Sequence, residues 1–276
     1  MVLETMISLY GGSGFVGGTF QKMYDGLINI ERDERKPKSN KILYFISTVD
    51  NYNLHENITL DVDTNLHLLC EVLDHCRSED IEFNFISSWF VYGKTSSVPV
   101  KEDAICNPTG FYSITKKCAE DLLISFCTTY GVKYRILRLC NVLGLEDAKA
   151  SKKKNAIMWM INELKLNHNI NLYDNGSHCR DVMHVNDVCR AIKLVVDSGE
   201  LNTVYNIGSG YPTKVGDIIS FAKQYMKSES EINNIEPPEF HTQVQGKDFW
   251  MNTQKLKSLG FEPQYNLEES LKIICK

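Results

Sequence analysis

The stretch that most narrows the choice of fold is Gly11-Gly12-Ser13-Gly14-Phe15-Val16-Gly17, which follows the apolar run Met6 to Tyr10 and leads into a helical segment reaching about Tyr24. Strand, glycine turn and helix stand in the order that a dinucleotide-binding unit needs. Gly11, Gly14 and Gly17 have G-x-x-G-x-x-G spacing, in which missing side chains permit a tight turn, close approach of a pyrophosphate to backbone amides, and tight packing of helix on strand. Ser13, Phe15 and Val16 complete this candidate cofactor cradle. A plain glycine-rich turn has the same local pattern, so the rest of the chain must decide.

Downstream, apolar runs alternate with helical periodicity. Gly26 to Glu31 reads as a second strand, Lys41 to Ile46 as a third ending in Ser47-Thr48, and Ile81 to Ile86 as the strand that delivers Ser87-Ser88. Between them, Leu66, Leu69, Val72 and Leu73 give Asp61 to Arg77 a helical period. Strands alternating with helices imply parallel pairing and an α/β, doubly wound Rossmann-like sheet, with ligands at the carboxyl ends of the strands. The glycine loop, Ser47-Thr48 and Ser87-Ser88 all fall on that one edge. Further elements are expected over Pro108 to Tyr130 (helix), Val132 to Leu137 (strand), Asn155 to Leu166 (helix) and Ile170 to Tyr173 (strand). Asp174-Asn175-Gly176 reads as a turn, followed by a helix ending near Val196 and short helices over Thr253 to Leu259 and Leu267 to Ile274.

At the end of the second strand, Glu31 would accept hydrogen bonds from adenosine ribose hydroxyls, whereas Arg32 and Arg35 would pair with a 2'-phosphate. Glu31 therefore favours NAD, and the two arginines favour NADP.

The chemistry concentrates in Ser88, Tyr112 and Lys116. Four residues separate Tyr112 from Lys116, which puts both on one face of a helix, where the ammonium would favour phenolate over phenol. With a hydroxyl such as Ser88 beside it, the phenol becomes a proton donor or acceptor for an alcohol or ketone. An exposed lysine one turn from a packing tyrosine is the bland alternative.

With 276 residues, 43% hydrophobic and 24% charged, the chain is long enough for one large core or two unequal lobes. Its net charge of -5 argues against a general nucleic-acid surface. The run Lys152-Lys153-Lys154 could hold a phosphorylated small molecule or simply be a solvated loop. Nine cysteines lie scattered without C-x-x-C or Cys/His ligand spacing, as buried thiols in a reducing compartment would, and no metal site is expected. No apolar run approaches the roughly 20 residues that span a membrane, so no membrane partner and a cytoplasmic location are expected.

The order of motifs resembles the extended short-chain dehydrogenase/reductase family, in its nucleotide-sugar epimerase/dehydratase/reductase branch. Six blocks carry the resemblance: Gly11-x-x-Gly14-x-x-Gly17; Ser88 with Val91-Tyr92-Gly93; Pro108 with Tyr112-x-x-x-Lys116; Arg138-x-x-Asn141-x-x-Gly144; Arg180-Asp181 with His184-Val185 and Asp187; and Tyr205-Asn206-Ile207-Gly208. It implies a dinucleotide-binding domain over residues 1–145, with 183–206 returning to it, and a mainly substrate-binding lobe over 146–276. Tyr112 would be the acid/base, Lys116 its pKa-lowering partner and a ribose contact, and Ser88 the hydroxyl that polarises a sugar carbonyl. Asn141 and Arg180 would contact a nucleotide sugar, Arg180 at the diphosphate; an ion pair of Arg180 with Asp181 or Asp187 is the alternative. His184 and Asp187 are expected to cap and orient a helix. A homodimer through helices 61–77 and 109–130 is implied, with a monomer as the alternative.

The departures from the family pattern also inform. Too few residues separate the second strand from Lys41 for a strand-helix unit, so the sheet is expected to be one strand short. Lys247 stands near the C-terminus where an arginine is usual, as a weaker phosphate partner. Trp89-Phe90 replace the Asp-Glu pair of the dehydratases, and neither can protonate a hydroxyl or remove a carbon-bound proton; they could shape the sugar pocket or lie beneath it as core. The expectation is an NAD(P)-dependent reductase of a nucleotide-linked keto-sugar, with NADP(H) favoured over NAD(H). A 4-epimerase and a non-catalytic scaffold are the alternatives.

Overall fold

A computed structural model describes residues 6–50, 52–95, 97–147, 150–245 and 248–276. Glycine permissiveness starts the fold: Gly11 adopts φ +80°, and a Cβ on Gly17 would lie 2.4 Å from the Gly11 carbonyl oxygen. Strand β1 (Ile7–Tyr10) can therefore turn directly into helix α1 (Phe15–Met23). β2 (Leu27–Asn29) pairs parallel with one side of β1, and β3 (Lys41–Tyr44) with the other. The chain then runs through α2 (Leu60–Val62), a π-helical turn (Asp63–His67) and α3 (Leu68–Asp74) into β4 (Glu82–Ser88). Next come α4 (Phe111–Tyr130), β5 (Lys133–Leu139), β6 (Asn141–Leu143), α5 (Ala156–Lys165) and β7 (Ile170–Tyr173). They lead to β8 (Cys179–Arg180), β9 (Val182–His184), α6 (Val185–Ser198) and β10 (Thr203–Ile207). The chain ends through β11 (Thr213–Lys214), α7 (Val215–Met226), β12 (Ile232–Ile235), α8 (Glu239–Gln245), α9 (Gln254–Ser258) and α10 (Leu267–Ile274).

The main sheet is parallel throughout, in the order β10-β5-β4-β3-β1-β2. Order reverses between β1 and β3, and the glycine loop lies at that switch point, where the first turn of α1 opens a crevice. One face packs Ile7 and Leu9 against Phe20 of α1 and Val188, Ile192 and Val195 of α6. The other packs Tyr10, Ile42 and Tyr44 against Leu69, Val72 and Leu73 of α3 and Ala119 and Leu123 of α4. A third apolar cluster, away from the sheet, joins Met158, Ile161 and Leu164 of α5 to Ile170, Ile218, Leu271 and Ile274.

The short connection between β2 and β3 holds neither helix nor strand, and β2 ends the sheet. Its loop crosses over β1 instead. The amides of Lys38 and Ser39 donate to Ser8 Oγ at 2.9 and 2.8 Å, and the Tyr10 hydroxyl donates to the Arg35 carbonyl at 2.7 Å. Two polar side chains of β1 thus find the partners that a covering helix could not offer.

Some boundaries differ from the sequence expectation. β4 continues through Ser88 because Ser87 and Ser88 still pair with Arg138 and Leu139 of β5, so both serines belong to the strand. β3 stops at Tyr44, placing Ser47-Thr48 three residues into the following loop. The turn at 174–176 is built from three successive left-handed residues, with φ of 49°, 53° and 67°. Among the described residues no helix is long and apolar enough to cross a membrane, and no cluster of His, Cys, Asp and Glu is placed to hold a metal ion.

Candidate active site

Three elements meet at the carboxyl edge of the sheet. β4 presents Ser88 in its last position, the loop after β3 presents Ser47, and the first turn of α4 presents Tyr112. The strand can end this closely against α4 because Gly93, at φ +60°, lies against the Asn107 backbone; a Cβ there would sit 1.8 Å from the Asn107 carbonyl oxygen. The Ser88 and Ser47 hydroxyls both pull the Tyr112 phenol toward its ionised form.

Tyr112 is 6% exposed and Lys116 2%. Burial pushes the phenol up to about 12, against the opposing pull of the Ser88 and Ser47 hydroxyls, and the Asp61 carboxylate adds a smaller upward push. The phenol therefore stays protonated at neutral pH. Desolvation outweighs the two hydroxyls. Lys116 donates from Nζ to the Ile86 carbonyl at 2.7 Å and lies 4.2 Å from the centre of the Phe85 ring. Burial brings its own pKa down to about 7, with Glu120 opposing.

Behind the phenol runs a polar web that the motif reading missed. Asn65 accepts from Ser47 Oγ at 3.0 Å and from the Thr48 amide at 2.8 Å, and it donates to Thr48 Oγ1 and Thr115 Oγ1, both at 2.9 Å. Thr48 and Asn53 in turn donate to Asp61 Oδ1. Asp61 Oδ2 is buried without a hydrogen-bond partner. A sequence signal for this web exists: Asp61 and Asn65 are polar positions four apart on the face of a helix whose other positions enter the core.

Trp89 and Phe90 turn out to have different roles. Trp89 is buried, stacked on Phe90 at 4.0 Å between ring centres, packed on Phe249 at 4.6 Å and covered by the Arg180 guanidinium at 5.8 Å. Phe90 is only half-buried and meets the Tyr112 ring edge-on at 6.0 Å. The tryptophan is thus part of the core, and the phenylalanine faces Tyr112.

The glycine loop fits a pyrophosphate. Gly14 caps α1 with no side-chain hydrogen bond, and a Cβ there would approach nothing closer than 3.4 Å. Gly12, Ser13, Gly14 and Phe15 line a cavity of about 480 Å³ with Glu146 and Asp147 opposite. The first-turn amides of α1 are thus available to an anion. Val16 and Gly17 lie on the first turn of the same helix.

Other candidates are placed less simply. Glu31 and Arg32 are exposed, two and three residues beyond β2. Arg35, expected to face a 2'-phosphate, is turned onto α3: its Nε donates to Glu71 at 2.5 Å and its Nη1 to the Arg32 carbonyl at 2.9 Å. Asn141 donates from its side chain to the Asp181 carbonyl at 3.1 Å. Arg180 is buried, donates to the Cys179 carbonyl at 2.8 Å, and is lowered to about 10 by burial. The carboxylates offered as its alternatives are taken by other donors: Asp181 by Ser209, Gly210 and Met251, and Asp187 by Arg190, Gln264 and Tyr265. His184 caps α6 through Nδ1, as expected. Lys247 lies outside the described residues.

Three contacts tie distant segments to the loop after β3. Phe240 of α8 packs on Tyr52 at 5.0 Å and on His55 at 5.5 Å, and Lys153 pairs with Glu56. The loop after β3 is thereby tied to both α8 and the segment before α5.

Sheet order, glycine crevice and a Ser/Tyr/Lys cluster together define an extended short-chain dehydrogenase/reductase. The chain belongs to the NAD dependent epimerase/dehydratase family, whose model matches residues 34–208. A putative UDP-glucose 4-epimerase of Methanocaldococcus jannaschii is 27% identical over 84% of this chain and 74% of its own. Several other curated relatives are longer, and the chain spans 66% or less of their length. Among solved structures, the UDP-glucose 4-epimerase of Thermotoga maritima with UDP-glucose is similar with a TM-score of 0.86, 24% identity and coverage of 98% and 97%. RMD from Pseudomonas aeruginosa, solved with NADPH, gives 0.84, 20% identity and 98% coverage of both chains.

Proposed function

We propose that this protein is a reductase of a nucleotide-linked keto-sugar, most specifically a 4-keto-6-deoxy sugar nucleotide, with the proton supplied by Tyr112. The observation that carries this reading is a buried phenol on the first turn of α4, kept protonated by burial against the pull of the Ser88 and Ser47 hydroxyls. A phenol in that state is an acid. Facing a developing alkoxide, which is far more basic, it gives up its proton, and Ser88 and Ser47 stabilise the phenolate left behind. When bound, the nicotinamide supplies the hydride. Ser88 orients and polarises the carbonyl, while the buried Lys116 ammonium offsets the negative charge left on Tyr112.

Phe90 supports the deoxy-sugar assignment. Its apolar wall beside Tyr112 suits a methyl group and leaves a hydroxyl or carboxylate without a partner. Neither Trp89 nor Phe90 can serve the acid/base pair that water elimination requires, so dehydration is disfavoured. Arg180, sitting over Trp89, is the assigned diphosphate contact, with Asn141 at the sugar nucleotide and Lys247 as a further phosphate partner. NADP(H) is favoured over NAD(H) on Arg32, since Arg35 is committed to Glu71.

A 4-epimerase is the second reading, favoured by the UDP-glucose 4-epimerases among the relatives and structural neighbours. The same residues would serve it, with the proton taken and then returned. The proposal extends to a cytoplasmic homodimer joined through α3 and α4, on whose surface Ile114 and Leu122 are exposed, and to a substrate lobe built on the third apolar cluster.

Isothermal titration with NADPH and NADH, alongside a spectrum of nucleotide released on denaturation, tests the assignment. Exchangeable NADPH preference is expected; tightly held, co-purifying NAD would move the assignment to the epimerase. Tyr112→Phe should lower turnover of a 4-keto-6-deoxy sugar nucleotide by orders of magnitude while cofactor still binds. Unchanged turnover would refute the proton-donor role.

A further inference from the structure

Tyr112 and Lys116 share their face of α4 with a third buried side chain. Glu120, one turn beyond Lys116, is 1% exposed, and its carboxylate is held from three directions. Ser87 Oγ donates to Oε1 at 2.6 Å, Arg138 Nε to Oε1 at 3.0 Å, and Arg138 Nη2 to Oε2 at 2.7 Å. Arg138 is itself fixed by the Glu102 carbonyl at 3.1 Å and by the Tyr92 ring at 4.6 Å. A buried ion pair of this kind rarely raises stability relative to apolar residues of the same volume. Its place one turn from a buried lysine gives it a different use.

Lys116 meets the Ile86 carbonyl and the Phe85 ring, and each satisfies a donor without neutralising a charge. A buried ammonium so placed needs a counter-charge within a few ångströms, or it loses its proton. The charged and titratable groups around it are Tyr112 and Glu120 on α4, Arg138 on β5 behind Glu120, Tyr44 on β3 behind Phe85, and Asp61 of α2 on the far side of Tyr112. Of these, Glu120 is the one whose charge supports the ammonium.

We infer that Glu120 is a positioning residue of this site: clamped by Arg138 and Ser87, it is the buried counter-charge that keeps Lys116, one turn from Tyr112 on the same helix, an ammonium at the Ile86 carbonyl. The inference rests on the proton-transfer reading of Tyr112 and Lys116 and adds a third member on the same helical face. Arg138 has two effects in this scheme. It fixes the Glu120 carboxylate in one rotamer, and it cancels part of that negative charge, so the pair acts on Lys116 as an oriented dipole.

Electrostatic and merely structural roles predict opposite patterns. The test uses full-length protein carrying lysine labelled with carbon-13 at Cε, with the Lys116 resonance assigned by its loss in Lys116→Met and followed against pH. Removing the negative charge in Glu120→Gln should move the Lys116 midpoint down by about one pH unit or more, whereas removing the cation in Arg138→Met should move it up. Glu120→Asp, which keeps the charge, should stay nearer wild type than Glu120→Gln. If Glu120→Gln does not fold, the double variant Glu120→Gln/Arg138→Met, which leaves no unpaired guanidinium, is compared with Arg138→Met; the midpoint should again fall. Midpoints that stay put, or that move the same way in both single variants, would overturn the inference. No substrate enters these titrations, so their outcome is independent of turnover in Tyr112→Phe, which tests the underlying site.

Discussion

Lys116 concentrates the conflict between stability and chemistry in this protein. Its free base is reached near pH 7, whereas an unfolded lysine holds its proton to about 10.5. Below pH 7 both states are protonated, and the folded state bears the full cost of a buried cation. Between 7 and 10.5 the unfolded chain binds the extra proton, so this residue's contribution to stability rises with pH across that window. Turnover should run the other way, falling as pH climbs through about 7 and the ammonium one turn from Tyr112 is lost. Lys116→Met should therefore abolish turnover and yet raise unfolding free energy at pH 6 by on the order of 1–2 kcal/mol. Urea unfolding checks the gain, and a variant less stable than wild type would contradict it.

Elements, more than single residues, decide how much of this protein could be read in advance. The strand-glycine-helix opening was legible because its spacing is dictated by backbone geometry, and α10 was legible because Leu267 to Ile274 carries a clean helical period between a capping asparagine and the chain end. α7 was passed over, although Val215, Ile218, Ile219 and Ala222 stand at helical spacing. Its twelve residues lie in a region without motifs. The grouping of Ser88, Tyr112 and Lys116 was legible as a pattern, but the protonation state of its tyrosine was not. That state depends on burial by segments far apart in the chain, Phe90 among them, and on the opposing pull of Ser47 and Ser88. The fate of Arg35 was equally hidden, because its partner Glu71 lies 36 residues away. Val91-Tyr92-Gly93 was recognised as a block without its cause, which is the approach of Gly93 to the Asn107 backbone. Gly93→Ala forces that contact apart at a left-handed position and should cost about 3 kcal/mol or more. Thermal unfolding measures it, and a loss under 1 kcal/mol would mean that the turn can open.

At the scale of the whole molecule, the aromatic cluster of Phe240, Tyr52 and His55 couples the C-terminal part of the chain to the loop that carries Ser47. Packing of Phe240 on Tyr52 and His55 holds that loop against α8. Phe240→Ala should loosen the loop and the Ser47 it carries, raising KM several-fold with less effect on kcat, because the rings that Phe240 meets are Tyr52 and His55 and not Tyr112. Steady-state kinetics separate the two; a fall confined to kcat would place Phe240 in the chemistry instead.

The short path from β2 to β3 also bears on how this protein coexists with copies of itself. A parallel sheet that stops early exposes the last strand to pairing by a stray chain. Here that strand is Leu27–Asn29, three residues followed within four positions by Glu31, Arg32 and Asp33 and then by Pro37. The opposite margin is guarded differently: Lys255 takes the Val204 carbonyl at 3.0 Å, and Glu102 takes the Asn206 amide at 3.2 Å. One border is too short and too charged to template a fibril, and the other has two of its hydrogen-bonding groups already occupied by charged side chains.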